Sequence, residues 1–203
     1  MWNKHGVIVG SKVEAAHKIR DLKAVIFDAD GVLTDNCVLE GLEGSKPRWR
    51  SHYDGQGISL LRAVRIHVCF ITAESGVDAQ AIDGLVERWN GLPSTIGVNN
   101  PGGWGKVGLF KGLVGIQKLE AAEEWLSEHN MTWAECAVMG DDLVDVPMLR
   151  KARLKVAPRS AEQVVLSMAD FVSRRPGGGG AIRDLVNFIL EIKGVDQTTL
   201  STR

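Results

Sequence analysis

Asp28 and Asp30 stand one residue apart at the end of an apolar run in "KAVIFDADGVLTD" (23–35), with Asp35 close behind. Carboxylates are costly to bury unless cations or hydrogen-bond donors meet them. A core strand that ends in two of them therefore implies chemistry at its C-terminal end. A spacing of two lets both side chains project to the same side of an extended segment. Asp28 has the position of a nucleophile and Asp30 that of a general acid and base. Two further runs end in the same fashion: "HVCFIT" in Thr72, and "CAVMGDDLVD" in Asp141, Asp142 and Asp145. If those runs lie beside the first, three carboxylates converge, a set of hard oxygen ligands that suits Mg²⁺. Lys118 supplies a positive charge to the same place. The blander reading of each piece is a D-G turn, or an aspartate capping a helix.

The elements that must position these residues follow from hydrophobic periodicity. Strands are expected at 24–27, 67–73, 107–110, 136–140, 154–157 and 170–173. Helices are expected at 57–64, 77–89, 115–130, 143–152, 160–169 and 180–193. The helix at 115–130 turns Ile116, Leu119, Ala122, Trp125 and Leu126 to one face. Continuous rather than alternating apolar strands, interleaved with helices, define an α/β fold. It is a Rossmann-like parallel sheet with helices on both faces. In such sheets ligands bind beyond the carboxyl ends of the strands, where the acidic residues fall. The stretch 36–54 reads as a small β-hairpin inserted after the first strand, turning at Glu43, Gly44 and Ser45. No cap domain is expected. Residues 1–203 read as one domain with its core over about 19–192.

Lys and Arg number 24 against 25 Asp and Glu, for a net charge of −1. That leaves no basic footprint for nucleic acid and no polybasic membrane anchor. Cys37, Cys69 and Cys136 are scattered with no C-x-x-C, as in a reduced cytoplasmic protein. The apolar run near the start is too short for a signal sequence, and no stretch approaches a membrane span. Partners are expected to be small molecules or further copies of the chain.

Strand–D-x-D-G-V-L-T-D, strand–Thr, Lys, strand–G-D-D-x-x-D resembles, in that order, the haloacid dehalogenase superfamily of phosphohydrolases. "DADGVLTDN", "YDGQGISLL", "FKGLVGIQKLEAAEEWL", "AVMGDDLVDVPML" and "GGGGAIRDLV" narrow the resemblance to the capless 3-deoxy-D-manno-octulosonate 8-phosphate phosphatase family. The resemblance implies an aspartyl-phosphate on Asp28 and proton transfer to the leaving sugar oxygen by Asp30. It implies phosphoryl contacts from Thr72 and charge balance from Lys118. Mg²⁺ would be held by the Asp28 carboxylate, the Asp30 carbonyl and Asp141, with Asp142 and Asp145 one step back, orienting waters or Lys118. It also implies a homotetramer in which neighbours cover the active site. Candidate substrate contacts are Glu74 and Ser75, just past Thr72, and Asp54 and Gly55 in "YDGQGISLL". The substrate implied is 3-deoxy-D-manno-octulosonate 8-phosphate; alternatives are nononate or N-acylneuraminate 9-phosphates, or a catalytically silent assembly module.

Three departures bear on the substrate. Thr72-Ala73-Glu74 stands where the octulosonate enzymes commonly read T-G-R, and "PGGGGAIR" lacks the Arg or Glu often found inside that segment. The stretch 94–108 is longer than usual; it reads either as a solvated loop or as a lip over a neighbour's site with Trp104 as an apolar contact. A receiver-like signalling domain also combines Asp pairs, Thr and Lys, but keeps its acceptor on a later strand than the D-x-D found here.

Overall fold

The computed structural model describes residues 4–9, 11–39, 47–95 and 103–200. Its centre is β2 (Ala24–Phe27), four consecutive buried residues. Val25 and Phe27 enter one apolar cluster, Ala24 and Ile26 the other, so both faces of the strand are covered and an unbroken apolar run is required. The other strands are β1 (Gly6–Ile8), β3 (His67–Ile71), β4 (Gly108–Phe110), β5 (Cys136–Met139), β6 (Leu154–Ala157) and β7 (Phe171–Ser173), in the order β1-β7-β6-β5-β2-β3-β4. All described pairs are parallel except β1 with β7. The helices are α1 (Lys12–Arg20), α2 (His52–Ala63), α3 (Gln80–Asn90), α4 (Ile116–Glu128), α5 (Val146–Lys151), α6 (Gln163–Met168) and α7 (Ala181–Ile192). Residues of α1, α2, α3 and α7 build one cluster and those of α4, α5 and α6 the other, one on each face of the sheet.

Chain order reverses at β2, which has β3 on one side and β5 on the other. That reversal leaves a crevice beyond the strand ends, and β2, β3 and β5 are the strands that carry Asp28, Thr72 and Asp141 there. Among the described residues, no helix is long and apolar enough to cross a membrane.

Several expectations need correction. β1 and α1 were not foreseen, and with them the buried core begins at Ile8 rather than near Ile19. The hairpin over 36–54 does not form as expected: residues 36–39 and 47–51 carry no strand, and Glu43, Gly44 and Ser45 lie outside the described residues. His52–Asp54 instead open α2, because the Ser51 hydroxyl accepts the Tyr53 N–H at 3.2 Å as its N-cap. One link still joins the two arms, from the Asp35 N–H to the Trp49 carbonyl at 3.2 Å. Helix 143–152 begins as a single 3₁₀ turn, Leu143–Asp145, before α5.

Trp104 is buried in its own chain rather than offered to a neighbour. Arg62, itself buried, donates to the carbonyls of Gly105 at 2.8 Å and Trp89 at 2.8 Å and to Thr95 Oγ1 at 2.6 Å, and its guanidinium lies 5.3 Å from the Trp104 ring centroid. Residues 96–102 of the same stretch lie outside the described residues.

Candidate active site

A cleft of about 220 Å³ opens beyond the ends of β2, β3 and β5, lined among others by Asp28, Asp30, Thr72, Glu74, Asp141 and Asp142. Lys118, in the first turn of α4 and fully buried, forms its base. Its Nζ donates to Asp28 Oδ1 at 2.8 Å and to Asp145 Oδ1 at 2.7 Å. The other Asp145 oxygen accepts the backbone N–H of Asp141 at 3.0 Å and of Asp142 at 3.4 Å. Asp145 therefore orients both Lys118 and the loop that carries Asp141. Asp142 caps the 3₁₀ turn by accepting the Leu143 N–H at 2.6 Å, so capping and site-building coexist in "GDD".

Asp28, Asp141 and Asp145 each present a carboxylate oxygen within 4.8 Å of the others. Gly31 makes this convergence possible. Its φ is +80°, and a Cβ there would lie 1.9 Å from Asp141 Oδ2. Any side chain would both strain that turn and drive Asp141 out. The C-terminal glycine segment closes on the same loop: Gly178 donates to the Val32 carbonyl at 3.1 Å, and a Cβ on Gly177 would meet the Gly31 carbonyl at 1.7 Å. The segment thus supports its own chain's site.

Three clustered carboxylates around one ammonium leave negative charge uncompensated. Burial and then Asp145 push the Asp28 carboxyl up to about 8, against the pull of Lys118. Burial, then Asp145 and Asp142, push Asp141 up to about 7. Burial acts to lower the Lys118 ammonium, but the charges of Asp28 and Asp145 outweigh it and raise its pKa. Without a metal the cluster therefore takes up protons, and its oxygen-only donors and surplus negative charge fit a hard divalent cation.

Asp30 sits at the mouth. Its Oδ1 accepts the Thr34 hydroxyl at 2.8 Å and is also in contact with the Arg48 guanidinium. Arg48 reaches in turn to Glu74 Oε1 at 2.6 Å. Thr72 Oγ1 accepts the Glu74 N–H at 3.1 Å, which leaves its hydroxyl hydrogen free to donate into the cleft. Arg48 was missed in the sequence because its partners come from other segments and nothing around "KPRWR" signals a site.

The remaining candidates lie elsewhere. Ser75 is exposed and is not among the residues lining the cleft. Gly55 lies beside a separate depression between α2 and α3. Asp54 is buried under α7, where its Oδ1 accepts the Arg183 N–H at 2.9 Å. It caps a helix whose own N-cap residue, Gly180, has no side chain to do so. Burial pushes the Asp54 carboxyl from 3.8 up to about 6, despite that hydrogen bond. The folded chain thus binds this proton more tightly than the unfolded chain. The group's contribution is most favourable below pH 4 and is lost as pH rises through about 6. In urea denaturation, Asp54→Asn should gain on the parent by up to about 2–3 kcal/mol between pH 4 and pH 8, with KM changed less than about twofold. A stability difference independent of pH, or a large rise in KM, would count against the capping role.

The sheet reversal, the paired aspartates after β2, the buried lysine and the acidic turn after β5 define a haloacid dehalogenase-like hydrolase, and the sequence model of that family matches residues 113–181. The chain is 30% identical over 177 residues to the 3-deoxy-D-manno-octulosonate 8-phosphate phosphatase KdsC of Escherichia coli K12, covering 87% of this chain and 84% of that one. The crystal structure of the phosphatase of the same name from Yersinia pestis superposes with a TM-score of 0.77 at 24% identity, covering 98% of each chain. The cobalt-bound deoxy-D-mannose-octulosonate 8-phosphate phosphatase of Haemophilus influenzae gives 0.69 at 26% identity, covering 87% of this chain and 92% of that one. The chain belongs to the 3-deoxy-D-manno-octulosonate 8-phosphate phosphatase family and is a phosphatase.

Proposed function

We propose that this protein is a single-domain, Mg²⁺-dependent phosphomonoesterase acting on a 2-keto-3-deoxy sugar acid phosphate, foremost 3-deoxy-D-manno-octulosonate 8-phosphate. The observation that carries the reading is the convergence of Asp28, Asp141 and Asp145 around the buried Lys118, with Asp30 and Thr72 at the same cleft. The substrate follows from the relatives named above, and metal use is supported by the cobalt-bound homologue as well as by the donor set.

Asp28 attacks phosphorus with the carboxylate oxygen that Lys118 leaves free, and the ester bond to the sugar oxygen breaks. Asp30 gives its proton to that leaving oxygen. The resulting acyl phosphate on Asp28 is then hydrolysed by water, whose proton returns to Asp30, and inorganic phosphate departs. Thr72 donates its hydroxyl to a phosphoryl oxygen, while Lys118 holds the nucleophile in place and offsets charge. A magnesium ion bound by the Asp28 and Asp141 carboxylates and the Asp30 carbonyl would neutralise phosphoryl charge and orient it for attack.

Phosphate release from a panel of sugar acid phosphates tests this. Turnover should require Mg²⁺, vanish with excess chelator and return poorly with Ca²⁺, whose longer, more numerous bonds misplace nucleophile and phosphorus. Full activity in excess chelator would contradict the metal's role. Glu74 on the cleft wall, where octulosonate enzymes commonly have Arg, favours nine-carbon acid 9-phosphates as the second reading. In the same proposal the enzyme is a cytoplasmic homotetramer. Val114, Ile116 and Leu143 stand 48%, 59% and 65% exposed beside Lys118 and Asp142, an apolar rim suited to a neighbouring copy. Ile116, expected on the buried face of α4, is part of that rim. Light scattering at micromolar concentration should give four chains, and a fully active monomer would contradict the assembly.

A further inference from the structure

Arg48 joins the acids at the mouth of the catalytic cleft to a second space beside them. On one side it touches Asp30 and Glu74 at the catalytic cleft. On the other it lines a cavity of about 430 Å³ with Cys37, Val38, Leu39, Pro47 and Trp49. Arg48 is the one charged residue among the described residues lining that cavity, and its side chain is 11% exposed. Its buried Nε has no hydrogen-bond partner. A guanidinium offers five N–H donors, and the contacts to Asp30 and Glu74 leave several uncommitted. Lys118, the other cation of the site, has two carboxylates on it already.

We infer that Arg48 is the carboxylate-binding residue of this enzyme and that the cavity beyond it takes the body of the substrate. The ligand class is a phosphomonoester bearing a carboxylate away from its phosphate; this deepens the proposed function and rests on it. The phosphate enters the cleft at Asp28, and the chain of the acid passes Arg48 into the second space. There Leu39 and the indole of Trp49, 60% and 80% exposed, offer apolar surface to the C–H face of a sugar ring. The planar, fixed fork of a guanidinium matches a carboxylate in a way an ammonium does not. Glu74 has a defined part in this arrangement. Its carboxylate is matched by Arg48, so it does not repel the substrate's acid as an unpaired glutamate would. It holds the guanidinium at the mouth while the uncommitted N–H groups meet the ligand.

Arg48→Ala and Arg48→Lys, checked for parental melting behaviour, are compared with the parent on two esters: 3-deoxy-D-manno-octulosonate 8-phosphate, and D-arabinose 5-phosphate, which has no carboxylate. The ratio of kcat/KM for the sugar acid ester over the aldose ester should fall by about tenfold or more in Arg48→Ala, mainly through KM, with Arg48→Lys in between. Calorimetric binding of free 3-deoxy-D-manno-octulosonate, which needs no turnover, should weaken by a similar factor. An unchanged ratio, or equal losses on both esters, would overturn the inference while leaving the phosphatase reading in place. A parent without preference for the carboxylate-bearing ester would overturn both this inference and the proposed substrate class.

Discussion

Asp28→Asn is expected to lose at least about 10⁴-fold in turnover while folding as well as the parent or better. The amide keeps the shape of the side chain and can still accept from Lys118, but it cannot form the acyl phosphate. In stability the substitution removes one of three crowded carboxylates. Burial and Asp145 push the Asp28 carboxyl from 3.8 up to about 8, so the parent carries an electrostatic cost that builds as pH rises through that interval and levels off above about 8. The asparagine variant lacks that cost, and its advantage in urea should widen between about pH 4 and pH 8 and then level off. Mass spectrometry must first exclude deamidation back to aspartate. Activity above about a hundredth of the parent in a clean sample would remove Asp28 from the nucleophile's role.

Lys118→Met should be damaging in both respects. The methionine fills similar volume, but Asp28 and Asp145, 2.8 and 2.7 Å from the lost Nζ, are left buried without their cation. Removing one partner of a buried ion pair costs about 3–5 kcal/mol. The urea midpoint should therefore fall with the m-value unchanged, and kcat should drop by at least about 10²-fold, since phosphoryl and nucleophile charge lose a fixed counter-charge. A variant with parental midpoint and kcat within tenfold would mean that Lys118 is a spectator. Asp28→Asn and Lys118→Met share one contact, so their effects should not add.

What could be read from the sequence was the part written locally. β2 announces itself because four apolar residues covered on both faces must be followed by polar ones where the sheet ends, and the aspartates stand at that point. Thr72 and the "GDDLVD" turn follow the same logic at β3 and β5. Residues whose meaning lies in distant partners were misread or missed. Asp54 sits before a glycine in a motif-like run, yet its hydrogen bond reaches 129 residues along the chain to cap α7. Arg48 meets Glu74, 26 residues on, from a stretch whose turn residues suggested only a hairpin. β1 is three residues long and antiparallel, so it carries no periodicity to detect, and its pairing with β7 exists only once the sheet is assembled. Of the two readings of 94–108, the lip makes Trp104 a contact for a neighbour, but its ring lies against Arg62 of the same chain, which nothing nearby in sequence reveals.

In the proposed mechanism phosphate passes through a covalent bond to Asp28. Rapid acid quench of enzyme turning over ³²P-labelled 3-deoxy-D-manno-octulosonate 8-phosphate, followed by peptide mapping, tests it directly. A transient, alkali-labile label is expected on the peptide containing Asp28, formed no slower than product and absent from Asp28→Asn. Turnover with no labelled peptide at any time, or label on a different residue, would contradict it.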